Sequence, residues 1–183
     1  VKIPILESDR LQLRPFLLTD ASNVQRLAGN RAIADTTLNV PHPYEDGMAE
    51  AWISSHQPES EAGELAAFAI MTKAEDELVG AISLKVDRPF ARAELGYWIG
   101  EPYWGRGYCT EAATRIVQYG FTELKLHRVH AAYFARNPAS GRVLKNIGML
   151  QEGIARQHVR KWGDFEDLVL CGMLRSDWRG DNG

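Results

Sequence analysis

The chain has 183 residues, 45% hydrophobic and 25% charged, with 21 Lys and Arg against 24 Asp and Glu. At roughly 100–200 residues per domain, this argues for a single domain over residues 1–183 that needs neither disulfides nor metal to fold. A net charge of −3 offers no footprint for nucleic acid, two cysteines make no disulfide framework, and no apolar run approaches the roughly 20 residues of a membrane span. With no charged-then-apolar leader before Leu6, the expectation is a cytoplasmic globular protein.

Leu11-Gln12-Leu13-Arg14 alternates apolar and polar, as a half-buried strand does. Thr19 and Asp20 offer cap chemistry for a helix through Val24 and Leu27, ending near Gly29. Met48, Ala51 and Trp52 form a short amphipathic piece, and the flanks with Pro41, Pro43, Pro58 and Gly63 read as loop. Leu65–Met71 is an apolar run of strand length. Leu78–Val86 alternates Leu, Gly, Ile, Leu, Val against Val, Ala, Ser, Lys, which predicts one core-facing side. Glu94–Ile99 completes an antiparallel meander.

After Gly107 the period changes. Cys109, Ala112, Ala113, Ile116, Val117 and Gly120 recur at helical steps, and Arg128–Ala135 reads as strand again. Strand, helix and strand make a right-handed crossover between two parallel strands. Asn137-Pro138 then opens a helix that runs to Gly148. Two last strands, about 151–161 and 166–174, meet near Gly163-Asp164. The fold class is a mixed α/β or α+β domain.

The chemistry concentrates in Trp98-Ile99-Gly100-Glu101-Pro102-Tyr103-Trp104-Gly105-Arg106-Gly107-Tyr108-Cys109-Thr110-Glu111, which runs from a strand end into a helix start. Gly105 and Gly107 let the backbone approach a ligand closely, and free N–H groups of a first helical turn attract an anion such as pyrophosphate. Thr110 stands where a dinucleotide fingerprint needs its third glycine, and the Gly-Lys-Ser/Thr of a Walker A loop is missing. Two glycines alone fit a tight strand-to-helix turn that binds nothing at least as well; a ligand held here would be another phosphorylated molecule.

This segment resembles the GNAT superfamily of acetyl-CoA-dependent N-acetyltransferases, whose acetyl-CoA loop reads Gln/Arg-x-x-Gly-x-Gly/Ala at this junction. Residues 104–109 match with Gly107 as the central glycine, while Trp104 and Cys109 replace the first and last residues of the pattern. Together with Glu94-Leu95-Gly96-Tyr97-Trp98-Ile99, Asn137-x-x-Ser140 and Lys145-x-x-Gly148, the string is similar to the branch of ribosomal-protein N-terminal acetyltransferases. The resemblance implies a mostly antiparallel sheet of about seven strands, with a splayed central parallel pair and about four flanking helices. It implies that acetyl-CoA is held by Trp98, Ile99, Trp104, Gly105, Arg106, Gly107, Tyr108, Cys109, Thr110, Asn137, Ser140 and Lys145, the backbone of Trp98 and Ile99 bonding pantetheine like an added strand. No metal is expected, nor any nucleic-acid or membrane partner; the chain is expected as a monomer or homodimer.

Direct attack by an amine on a thioester needs a neutral nucleophile, an oxyanion stabiliser and a group to protonate the departing thiolate. An α-amino group, with a pKa of about 7.7–8.0, costs about 1–1.4 kcal/mol to neutralise near pH 7, against about 4.6 kcal/mol for a lysine. An N-terminal acceptor therefore needs only a modest base. Glu94 is the candidate, on one strand face with Gly96 and Trp98; its alternative is a carboxylate paired with Arg92 or Arg128. The helical phenol usual in the family is replaced by Leu144, which leaves Ser140 as the candidate acid at the sulfur; its alternative is capping of the helix start, and one hydroxyl can serve both. His42, His56 and His158 read as surface histidines, and Arg156, Arg160 and Lys161 as a solvated edge. The alternatives to protein N-terminal acetylation are a small-amine acetyltransferase, its polyamine form using Glu45, Asp46, Glu59, Glu61 and Glu64, and a non-catalytic acetyl-CoA-binding sensor.

Overall fold

The computed structural model describes residues 3–180. Its strands are β1 Leu6–Glu7, β2 Leu11–Arg14, β3 Leu65–Thr72, β4 Leu78–Asp87, β5 Arg92–Ile99, β6 Arg128–Phe134, β7 Leu150–Lys161 and β8 Asp164–Leu174. The helices are α1 Ala21–Ala28, α2 Arg31–Thr36, α3 Met48–Ala62, α4 Tyr108–Thr122 and α5 Pro138–Asn146. All eight strands join one sheet in the order β1-β2-β3-β4-β5-β6-β8-β7, antiparallel throughout except for β5 and β6. The expected mixed α/β architecture is present, with one strand and one helix more than anticipated.

The extra elements have local causes. β1 is two residues long, too short to show a period. α2 is a six-residue helix capped by Asn30, whose Oδ1 accepts from the Ala32 N–H at 2.9 Å. α3 continues past Trp52 to Ala62 with Pro58 inside it, so the stretch read as loop is helical. Asp20 does not cap α1 with its side chain; its carboxylate instead accepts two hydrogen bonds from Arg14, at 2.7 and 2.8 Å, and one from the Leu17 N–H.

Helices cover both faces of the sheet. Ala112, Ile116 and Val117 of α4 pack on Phe68, Ile70 and Leu84, while Val24 and Leu27 of α1 and Ile53 of α3 pack on the face carrying Ala69, Met71 and Trp98. This explains the unbroken apolar run of β3. It also corrects the one-sided reading of β4, where Val79 and Ala81 are as buried as Leu78 and Ile82.

The parallel pair sets up the site. β5 and β6 stay in register only at Arg92–Arg128, Ala93–Val129 and Glu94–His130, then part, although β4 accompanies β5 to Ile99 and β8 accompanies β6 to Phe134. Backbone groups alternate sides along a strand. The Ala91 carbonyl accepts from His127 N–H at 2.6 Å, toward β6, and the Gly100 N–H donates to the Val79 carbonyl at 2.8 Å, toward β4. Leu95, Tyr97 and Ile99 therefore turn their backbone groups to the opened edge, and Trp98 turns its own to β4.

Candidate active site

Two cavities meet where β5 and β6 separate. One, about 610 Å³, lies between the end of β5, the 103–107 loop and the starts of α4 and α5. The other, about 320 Å³, opens on the α1–α3 side and includes Phe16, Tyr44, Trp52 and Glu94 in its walls. Thr36, Thr37, Tyr97, Trp98 and Ser140 border both.

The larger cavity has the features of an anion cradle. Gly105 and Gly107 hold φ of +74° and +79°, a backbone region that L side chains rarely adopt. Gly107 stands just before α4, and no side chain caps that helix, so the N–H groups of its first turn have no partner there. α5, by contrast, spends the Asn137 side chain on the Ser140 N–H. Trp104, Gly105, Gly107, Tyr108, Cys109 and Thr110 all line the cavity. Arg10 braces the loop from outside: it donates to the Arg106 carbonyl at 2.9 Å and to Glu111 at 2.7 Å, and its guanidinium sits 4.9 Å from the Tyr108 ring centroid. Burial pushes the Glu111 carboxyl up, but donors from Arg10 and Ser8 more than offset it and hold the group below its ordinary value.

On the opened edge, the Trp104 indole N–H donates to the Ile99 carbonyl at 2.6 Å. The amide and carbonyl of Tyr97 and the Ile99 amide face the cavity with no strand alongside. These groups suit an extended ligand laid down like a short strand. Ile99 thus turns its backbone to the gap, whereas Trp98 borders it without offering its backbone.

Glu94 and Ser140 approach the junction from opposite faces. Glu94 is exposed on the α1–α3 side; Arg92 pairs with Asp87 and Arg128 with Glu152, so neither arginine neutralises it. Ser140 lies in the first turn of α5, with its Oγ 2.7 Å from the Tyr97 Oη. Burial pushes the Tyr97 phenol well above its ordinary value, so it keeps its proton. Leu144 is buried in the core and offers no phenol. Burial also pushes the Cys109 thiol up to about 12, which makes it a poor nucleophile near neutrality.

Residues 10–150 match the acetyltransferase (GNAT) domain family. The chain belongs to the GNAT acetyltransferase family. It is 33% identical over 178 residues to the "Probable N-acetyltransferase YjcK" of Bacillus subtilis, covering 94% of this chain and 98% of that one. Over 113 residues it is 31% identical to the [Ribosomal protein uS5]-alanine N-acetyltransferase of Escherichia coli, covering 61% and 58% of the two chains. Among solved structures, a RimL ribosomal L7/L12 α-N-protein acetyltransferase in complex with coenzyme A superposes with a TM-score of 0.87 at 16% identity, over 93% of this chain and 98% of that one. That last likeness is one of fold. The chain is an acetyltransferase.

Other expected residues of this acetyltransferase lie further out. Arg106 is exposed, donates to the Pro102 carbonyl at 3.1 Å, and does not border the larger cavity. Lys145 is exposed on α5, and Arg142, Val143 and Asn146 supply that wall instead. His56 is no surface residue: it is buried against Trp52 and Phe16, with ring centroids 4.4 and 5.5 Å away. Lys161 is buried too, its ammonium donating to the Leu38 and Val40 carbonyls at 3.3 and 3.4 Å. Arg136 joins Asp35 of α2 to Glu166 of β8, so the segment after α2 is tied across the sheet. Among the described residues no helix is long and apolar enough to cross a membrane, and no trio of His, Cys, Asp or Glu is grouped to hold a metal ion.

Proposed function

We propose that this acetyltransferase, acting as a single cytoplasmic domain over residues 1–183, moves acetyl from acetyl-CoA to a primary amine, and that the amine is a protein or peptide N-terminus. The observation that bears the reading is the junction itself: a phosphate-suited groove and a separate cavity that share Tyr97, Trp98 and Ser140, with Glu94 beside only the second.

The uncapped first turn of α4 and the 104–107 loop suit the pyrophosphate, with Arg142 and Asn146 alongside. Tyr97 and Ile99 of the opened edge, with Asn137 and Ser140 across from them, suit the pantetheine arm. Acetyl-CoA supplies the activated acetyl thioester. Glu94 accepts a proton from the amine, directly or through water, and Ser140 Oγ–H hydrogen-bonds the departing sulfur.

The single carboxylate in the wall of the second cavity favours an N-terminal amine over a polyamine. Glu45, Asp46, Glu59 and Glu64 border neither cavity, and Glu61 borders a different hollow near His56. A polyamine with several cationic centres would meet one partner where it needs several. The likeness to a ribosomal-protein-alanine acetyltransferase supports the same choice.

The test is CoA-thiol release from acetyl-CoA with a panel of amines. Peptides with a free Ala or Ser terminus are expected to accelerate release. Acceleration by polyamines or free amino acids alone would move the acceptor to small amines. Binding of acetyl-CoA that no amine turns into release would support a sensor and overturn the catalytic reading.

A further inference from the structure

Tyr97 has a place in the site that the strand pattern hides. Its backbone lies on the opened edge of β5, while its side chain reaches across the gap to the first turn of α5. The phenol oxygen is 2.7 Å from Ser140 Oγ and 3.3 Å from the Ser140 carbonyl. Side chain and helix come from strands that have parted, so this contact is a direct tie between the two walls of the gap at the level where the cavities meet.

A serine hydroxyl has one proton and a free rotor. Left alone, it can turn that proton to any acceptor within reach. A donor placed on its lone pair removes the orientation in which the hydroxyl gives its proton to that neighbour. Tyr97 is placed to be such a donor: burial keeps the phenol protonated across the working pH range, and the shorter of its two contacts is to Oγ. The same burial excludes Tyr97 from giving its proton away, because a phenolate there has no cationic partner among the described residues.

We propose that Tyr97 is a positioning residue that donates its phenol proton to Ser140 Oγ and so aims the Ser140 hydroxyl proton at the departing sulfur. The inference rests on the acetyl transfer proposed above and deepens it. In the step, the amine nitrogen–carbon bond forms and the carbon–sulfur bond breaks. The amine proton passes to Glu94, and the electron pair leaves on sulfur. Tyr97 and Ser140 keep their protons and lend hydrogen bonds only. A thiol of pKa about 8.5 leaves as an anion that solvent protonates readily.

The experiment is a kinetic cycle on the full chain with Tyr97→Phe, Ser140→Ala and the double variant, read at saturating acetyl-CoA with the best amine of the panel. Ser140→Ala is expected to lower kcat about tenfold, and Tyr97→Phe about three- to tenfold, with little change in KM for acetyl-CoA or in Tm. Because Tyr97 acts through Ser140, adding Tyr97→Phe to Ser140→Ala should cost nothing further. Multiplied losses in the double variant, or a kcat for Tyr97→Phe equal to that of the natural chain, overturn the proposal. Should Tyr97→Phe fail to fold, 3-fluorotyrosine at position 97 replaces it: a more acidic phenol donates more strongly, so kcat should hold or rise, and a fall overturns the idea. If the natural chain releases no CoA with any amine, the parent reading and this one fall together. Release with independent losses overturns this one alone.

Discussion

The two sides of the β5–β6 gap are built in different ways. The groove on the α4 and α5 side comes mostly from two short consecutive stretches, 97–110 and 137–146, whose geometry follows from two left-handed glycines and two helix starts, with Ile33, Thr36 and Thr37 added from the end of α2. The cavity on the other side draws on residues from Phe16 to Leu168, and long-range ties such as Arg136 to Asp35 and Lys161 to the Leu38 and Val40 carbonyls hold its wall. A ligand bound by backbone groups tolerates almost any side chain around it. One selected by side chains needs a wall assembled from distant parts of the chain. The first side suits a common cosubstrate, the second a particular acceptor.

The sharpest way to break this contrast is to damage one side and watch the other. Gly107→Val puts a branched side chain at φ +79°, where L residues are strained, and its Cβ arrives 3.4 Å from the Arg10 guanidinium. Calorimetry with CoA should show affinity reduced at least about a hundredfold, because the first-turn amides can no longer close on phosphate. The melting temperature should move by only a few degrees. Unchanged affinity would detach the loop from cofactor binding. Glu94→Gln tests the opposite side: CoA affinity should hold while turnover falls about a hundredfold at pH 6.5. At pH 9 an α-amine of pKa about 8 is largely free, so the deficit should shrink below about tenfold. An equal loss at both pH values would mean that Glu94 orients the amine without deprotonating it.

The same contrast explains what was legible in the sequence. The turn at 104–111, the crossover helix and the strand face that Glu94 occupies could be read because each rests on a local pattern: glycine spacing, helical period, strand alternation. Tyr97 escaped because alternation put it on the face opposite Glu94, and nothing local reveals that the strand beyond Glu94 has lost its neighbour. The available signal was its hydroxyl, since a tyrosine buried in an apolar strand still needs a partner. Trp98 was assigned backbone contacts it cannot make, because which edge a residue faces depends on pairing register, fixed here by Ala91 and Gly100. Lys161 looked solvated at a hairpin end, yet the strand brings it under the loop after α2. His56 was misread because Pro58 was taken as a helix stop. With the helix extended, Ala49, Ile53, His56 and Ser60 fall at helical spacing on one buried face.

His56 also gives the contrast a pH dependence. Its Nδ1 is buried with no hydrogen-bond partner, and burial lowers its pKa from the ordinary 6.5 to about 4. The unfolded chain therefore takes up a proton on this group as pH falls through 6.5, while the folded chain resists until about 4. Stability from a neutral His56 is complete above pH 6.5 and declines below it, reaching a loss of about 2 kcal/mol at pH 5, roughly thirtyfold in the folding equilibrium. Phe16 and Trp52, which pack on His56, also wall the smaller cavity on the α1–α3 side, so acid should loosen that side first. Urea unfolding of the natural chain and His56→Gln at pH 7.5 and 5 should show a steeper acid loss in the natural chain. Amine KM should rise at pH 5 by more than free-amine depletion explains, with CoA affinity unchanged. Parallel acid losses in the two chains would remove His56 as the cause, and a weakening of CoA binding at pH 5 matching the change on the amine side would mean that the two walls yield together.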